Sequence, residues 1–295
     1  MRRPRGIRED YPLAKLTTIG TGGPARWFAR PENAESLGRV LAWAAAERVP
    51  IAVVGLGSNL LPADDGYDGL VLRLDGDLAA IEVRGPLVVC GGGASLAAVV
   101  RKASDAALAG IEFGCAIPGT VGGAVRMNAG AYGHELRDCL VQAVVVSAAG
   151  VRRVSPHELD MRYRGSNVGP DEVVARAVLG LVPSEASVVK ATIRAFQDRR
   201  TAAQPRKART FGSVFKNPPG DRTSGQLIEA VGLRGFEIGG ARISPKHANF
   251  IENTGAARSQ DVVELMAEAR RRVRERFGVE LEHEVHLLGP IAVPA

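Results

Sequence analysis

An α+β fold in more than one domain is what this sequence predicts, and three observations carry the prediction. Short apolar runs come in groups, 70–74 with 81–83 and 87–90, then 143–147 with 151–154 and 173–181, set apart by helix-period segments. The length of 295 residues exceeds the roughly 100 to 200 residues usual for one domain. A polar, proline-broken stretch holding Arg199, Arg200, Gln204, Pro205, Arg206, Lys207 and Arg209 reads as a linker. The division expected is a larger region over 1–203, in two lobes of about 1–74 and 75–203, and a smaller α+β domain over 204–295.

The elements follow in order. Leu37, Val40, Leu41 and Ala44 recur at helical spacing, predicting a helix from Glu35 to about Arg48. Past Pro50, the run from Ile51 to Val54 predicts a buried strand that ends on Gly55-Leu56-Gly57-Ser58-Asn59. Short strands are expected at Leu70 to Leu74, Ile81 to Val83 and Leu87 to Cys90; the Gly91-Gly92-Gly93 turn then opens a helix from Ser95 to about Leu108. Runs near Ala143 to Ser147, Val151 to Val154 and Val173 to Leu181 predict further strands of a mixed sheet, closed by a helix from Ser187 to about Asp198. Beyond the linker come helices near Thr223 to Val231 and Gln260 to Phe277, the latter stopped by Gly278 in a left-handed cap. Strands near Ile238 to Ile243 and Glu284 to Leu288 complete the smaller domain.

Composition narrows the function. A formal charge of +6 raises the question of nucleic acid, but the cations are scattered and no aromatic residues are interleaved with them as stacking platforms. The densest basic run, Arg270-Arg271-Arg272-Val273-Arg274, shares a helix with the apolar stripe Val262, Leu265, Met266, Ala269, Val273 and Phe277, so its arginines read as a solvated face. An anionic small molecule explains the charge as well. Cys90, Cys115 and Cys139 include no Cys-x-x-Cys pair and sit among apolar or glycine-rich neighbours, which reads as small buried side chains in a reducing compartment, with no metal site expected. Arg2, Arg3 and Arg5 precede no apolar segment, and no apolar run is long enough to span a bilayer, so a cytoplasmic protein is expected, with neither a membrane nor a nucleic acid as partner.

Two glycine-rich segments have the look of anion cradles, where consecutive small residues let backbone N–H groups turn toward a phosphate. One comprises Gly55, Gly57, Ser58, Asn59 and Leu60; the other runs over Ala116, Ile117, Pro118, Gly119, Thr120, Val121, Gly122, Gly123 and Ala124. Neither carries the Gly-Lys-Ser/Thr of a phosphate loop, and Leu60 stands where a dinucleotide fingerprint needs its third glycine. Two separate cradles suit a long ligand with a diphosphate in its middle, and FAD is such a ligand. The alternative is that these glycines only let helices and strands pack closely.

The stretch Thr210-Phe211-Gly212-Ser213-Val214-Phe215-Lys216-Asn217-Pro218 places a hydroxyl, a cation and an amide between aromatics, an arrangement costly in a core and expected at a reaction centre. With it stand Asn128-Ala129-Gly130-Ala131, Tyr163-Arg164-Gly165-Ser166, Ser244-Pro245-Lys246-His247-Ala248-Asn249-Phe250 and Leu281-Glu282-His283-Glu284-Val285. In this order, with both cradles, the set resembles the UDP-N-acetylenolpyruvoylglucosamine reductase family from about Thr17 to Gly289. No tyrosine follows Tyr163, which is similar to the branch of the family that lacks a tyrosine-bearing loop. Family members usually have Gly at the place of Ala116, and Pro and Arg at those of His283 and His286.

The resemblance implies an α+β, two-lobed FAD-binding domain of vanillyl-alcohol-oxidase type followed by a smaller α+β substrate domain. It implies bound FAD, NADPH as co-substrate, and reduction of the enolpyruvyl ether of a UDP-sugar. Gly55 to Leu60 and Ile117 to Ala124 match the diphosphate-binding motifs. Arg164 matches an active-site arginine that grips the substrate carboxylate, and Glu284 a carboxyl kept protonated as a donor beside it. Ser213 matches the proton donor, while Lys216, Asn217, Lys246 and His247 are the substrate-binding candidates. Competing readings are a two-lobed FAD oxidoreductase of alcohols or lactones, a catalytically silent nucleotide-sugar or flavin-binding regulator, and, weakest, a nucleic-acid binder.

Overall fold

A computed structural model describes residues 2–205 and 207–294; Arg206 of the predicted linker lies outside the described residues. The chain forms two compact units. One comprises Met1–Glu9, Trp27–Leu56 and Gly69–Arg200; the other comprises Asp10–Arg26, Gly57–Asp68 and Thr201–Ala295.

Two cores fill the first unit. In one, helix α1 (Ala34–Ala46) buries Leu37, Val40, Leu41, Trp43 and Ala44 against Leu70, Leu72, Leu78, Val173 and Ala175. Each large side chain so buried contributes about 1.5–3 kcal/mol. The helix begins where Asn33 accepts the Ser36 N–H and the Ser36 hydroxyl accepts the Asn33 N–H, a reciprocal cap. The following strand, Ile51–Val53, pairs on one side only, in parallel with 70–72, and leaves Val53 43% exposed. The expectation of a buried strand is therefore corrected: the run is apolar, but it lies on a sheet edge.

The second core of this unit lies against a five-stranded sheet in the order Gly150–Val154, Leu140–Ser147, Val173–Gly180, Leu87–Gly91, Ile81–Arg84. Every pairing in it is antiparallel, not mixed as the sequence suggested. Val173–Gly180 runs back between Leu140–Ser147 and Leu87–Gly91, a direction set by the connections. Helix α2 (Leu96–Asp105) starts where Ser95 accepts the Ala98 N–H and ends before Leu108, which pairs as a strand with Pro183. Helix α3 spans Val121–Met127. Helix α4 (Ala186–Ala203) is longer than predicted and takes Arg199 and Arg200 out of the supposed linker, because no proline interrupts the chain between Pro183 and Pro205.

In the second unit, helices α5 (Ser224–Ala230) and α6 (Ser259–Phe277) bury one core with Phe211, Val214, Phe215, Ile243, Ile251 and Val285. The predicted strand from Ile238 to Ile243 is instead a hairpin, Glu237–Ile238 with Ala241–Ile243, continued by Ile251–Asn253. At the turn, a side chain on Gly240 would collide with the backbone of Ala256 and Ala257. Gly278 caps α6 at φ +66°, as expected. The last strand is His286–Leu288, parallel to Leu60–Pro62, so Glu284 lies just ahead of it. Among the described residues no helix is long and apolar enough to cross a membrane.

Candidate active site

In the first unit Gly55 meets the second glycine segment. Gly55 has no Cβ because one would run into the Thr120 side chain. The entry to α3 is tied to the Gly91–Ala94 turn: Val121 N–H donates to the Ala94 carbonyl and Gly122 N–H to that of Gly92, both at 2.8 Å, and Leu96 N–H donates to the Gly119 carbonyl at 3.0 Å. Gly122 is needed for this packing, since a Cβ there would come within 3.1 Å of the Gly92 and Val174 oxygens. Gly119 and Gly123 differ. A Cβ on Gly119 would meet nothing within 4 Å, and one on Gly123 only the Thr120 hydroxyl at 3.6 Å. Those two glycines keep open a space that packing does not require, and they flank a buried threonine hydroxyl. Pro118 is exposed and Ile117 half-buried on the same loop, while Ala124 is buried within α3.

Arg164 sits in a tight turn in which Arg162 and Gly165 exchange N–H···O bonds of 3.0 and 3.1 Å. Its φ of +54° is a left-handed conformation that typically costs a non-glycine residue about 1 kcal/mol or more. Asn128, wholly buried, fastens the turn by donating from Nδ2 to the Arg162 carbonyl (3.1 Å) and to Glu135 Oε2 (2.9 Å). Ser166 Oγ donates to the Arg126 carbonyl at 2.8 Å on the other side. The guanidinium donates to the Gly130 carbonyl at 3.1 Å and lies over the Tyr163 ring. A buried amide thus secures the left-handed backbone of Arg164.

In the second unit Gly57, at φ +65°, admits the Leu16 carbonyl where a side chain would stand, and its own carbonyl accepts the Thr18 N–H at 3.1 Å. Next to half-buried Ser58, Asn59 donates from Nδ2 to the Glu284 carbonyl (3.2 Å) and accepts the His286 N–H (3.1 Å); Leu60 pairs with His286. The segment 213–216 lies between two neighbours. Val214 N–H donates to the Asn249 carbonyl at 2.9 Å, and the Val214 carbonyl accepts the Glu284 N–H at 2.8 Å. Ser213 is bridged to Phe250 and Phe215 to His283. Ser213, Lys216 and Glu284 are half-buried.

Lys216 pairs with Glu282, and its carbonyl accepts the Ser224 hydroxyl; Asn217 Oδ1 accepts the Ser224 N–H at 3.1 Å. His247 packs on Phe250 with ring centroids 4.6 Å apart, and its Nδ1 accepts the Asn249 N–H at 3.3 Å. Burial pushes its imidazole below the ordinary value. Lys246 directs its ammonium to the Thr201 carbonyl at 2.7 Å. The fold thus brings together Ser213, Glu284, Lys216, Asn217 and Asn59 in this unit; Gly55, Ile117 to Ala124 and Arg164 belong to the other. The supporting amides Asn128 and Asn249 were quoted in motifs without a role. Asn128 carried a signal, a polar residue heading the small run Ala129-Gly130-Ala131, whereas Asn249 shares its string with Ser244, Lys246 and His247 and carried none.

Residues 25–155 match the family described as "FAD binding domain". This places the chain among proteins with an FAD-binding domain. Residues 204–288 match the family described as "UDP-N-acetylenolpyruvoylglucosamine reductase, C-terminal domain". The UDP-N-acetylenolpyruvoylglucosamine reductase 2 of Symbiobacterium thermophilum is 43% identical over 98% of this chain and 94% of its own. The reductase of Anaeromyxobacter dehalogenans is 43% identical over 98% of this chain and 88% of its own. The crystal structure of the reductase from Thermus caldophilus superposes with a TM-score of 0.84 at 37% identity, covering 96% of this chain and 99% of that one. The chain belongs to the UDP-N-acetylenolpyruvoylglucosamine reductase family. The resemblance read from the motifs and the α+β class are both borne out.

Proposed function

We propose that this protein reduces the enolpyruvyl ether of UDP-N-acetylglucosamine to UDP-N-acetylmuramate with NADPH, a step of peptidoglycan precursor synthesis serving cell-wall biogenesis, cell shape and division in the cytoplasm. The observation that carries the reading is the likeness of nearly the whole chain to reductases of that name. FAD fits the Ile117 to Ala124 loop: Gly119 and Gly123 leave room for close approach of a diphosphate, and Thr120 adds a hydroxyl. Gly55 to Leu60 and Ile117 to Ala124 would hold it, within a region taken as 1–203, with 204–295 as the substrate domain. The chemistry FAD supplies when bound is hydride relay from NADPH to the vinyl carbon distal to the ether oxygen.

The chain's own task is to manage charge and one proton. As the double bond is lost, negative charge develops on the substrate carboxylate, and Arg164 neutralises it with a guanidinium that stays protonated throughout. Glu284, protonated, donates a hydrogen bond to the same group. The Ser213 hydroxyl gives its proton to the other vinyl carbon, completing a CH₃–CH unit, and the resulting alkoxide is reprotonated from solvent. Lys216 and Asn217 hold the nucleotide diphosphate, with Lys246 and His247 beside them.

An anaerobic visible spectrum tests this. A flavin band that bleaches with NADPH and returns with enolpyruvyl-UDP-N-acetylglucosamine is expected. Ser213→Ala should bleach normally and lose the return. A colourless protein that takes up no FAD would refute the reading, and return with oxygen alone would favour an oxidase of alcohols or lactones.

A further inference from the structure

We infer that Asn249 is a positioning residue for the proton donor: its side chain acts as a substitute peptide group that fixes the register of the 213–216 segment. The inference rests on the proposed role of Ser213. Asn249 is 4% exposed, and both ends of its amide are spent on one residue. Oδ1 accepts the Phe215 N–H at 3.0 Å, and Nδ2 donates to the Phe215 carbonyl at 2.8 Å. Its own carbonyl accepts the Val214 N–H at 2.9 Å. Asn249 thus makes three hydrogen bonds to two consecutive residues, where an ordinary strand neighbour would use two residues of backbone.

The arrangement has a geometric purpose. The segment alternates sides, so fixing Val214 and Phe215 fixes where Ser213 and Lys216 project. Its opposite edge is fixed by the Val214 carbonyl accepting the Glu284 N–H at 2.8 Å and by Lys216 N–H donating to the Glu282 carbonyl at 2.9 Å. One short segment therefore sets the spacing of Ser213 and Glu284 together. Asn249 is oriented in turn by His247 Nδ1, which accepts its N–H. Ser244 belongs to the same string; its hydroxyl, wholly buried, accepts the N–H groups of Lys246 and His247 at 3.2 and 3.4 Å. The Ser244 to Phe250 string is thereby a brace for the reaction strand.

Asn249→Asp keeps the shape and the acceptor but deletes the donor to Phe215. In single-turnover anaerobic mixing, NADPH should bleach the flavin of this variant at the parental rate, whereas its return with the enolpyruvyl nucleotide slows by about 10- to 100-fold. Amide exchange in the peptide covering 213–216 should quicken, read without turnover. Val273→Ala, truncating a buried residue of the same core, serves as a control for lost stability and should return at the parental rate. If Asn249→Asp holds no flavin, Asn249→Ser takes the same measurements. Parental return in the Asn249 variant, or an equal slowing in Val273→Ala, would overturn the inference. Normal return in Ser213→Ala would instead sink the reading on which it rests.

Discussion

At the scale of single residues, glycines that look alike in the sequence do different work. Gly57 is demanded by packing: its φ is +65° and a Cβ would collide with the Leu16 carbonyl. Gly57→Ala should cost about 2–4 kcal/mol in urea unfolding. Gly119 has open space around its Cβ position, so Gly119→Ala should shift stability by under about 0.5 kcal/mol while weakening FAD in a fluorescence titration. His247 gives a pH signature. Burial depresses its pKa in the folded state, so the unfolded chain takes up the proton first. The stability it contributes is present above about pH 6.5 and is lost as pH falls below that value. The drop in stability between pH 7.5 and 5.5 should be smaller in His247→Gln than in the parent, measured by denaturant unfolding at both values.

At the scale of elements, the helices other than the glycine-rich α3 were legible and strand directions were not. The stripe Val262, Leu265, Met266, Ala269, Val273 and Phe277 announced α6, and all of it is buried except Phe277 at the last turn, which is half-buried. Its basic run reads as expected for the exposed Arg271 and Arg274, which pair with Glu268, Glu275 and Glu280, whereas Arg270 and Arg272 are half-buried. What starts α6 was not legible. The Asp64 carboxylate, 195 residues before Ser259, accepts the N–H groups of Ser259 and Gln260 at 2.8 and 3.0 Å. Asp64→Ala should therefore lower stability by about 1–2 kcal/mol in thermal unfolding, with Asp64→Asn losing less because an amide oxygen still caps. Strand Pro24–Ala29 is not legible because its sequence, PARWFA, mixes Pro and Arg with aromatics and shows no clean alternation.

At the scale of the whole molecule, the first unit carries two cores and the second one, and the cysteines report on one of them. Cys90 and Cys139 are buried in the sheet-backed core of the first unit, and burial pushes both thiols up to about 12. Cys115, expected to be buried, is half-buried, its Sγ donating to the Ile193 carbonyl at 3.7 Å. A thiol reagent should titrate Cys115 in the native protein, slowly, and reach Cys90 and Cys139 only on unfolding; fast native reaction of Cys90 or Cys139 would contradict their burial.

By itself, the sequence determined the α+β class and the family, because hydrophobic period and residue type act locally along the chain. Only the tertiary structure decided that the five-stranded sheet is antiparallel, that Ile51–Val53 is an edge strand, and that Asn249 fastens Phe215 across 34 residues. Those facts depend on which backbone groups find partners far along the chain. Every buried N–H and C=O must be satisfied, and the residue that satisfies it is selected by folding and not by proximity in sequence.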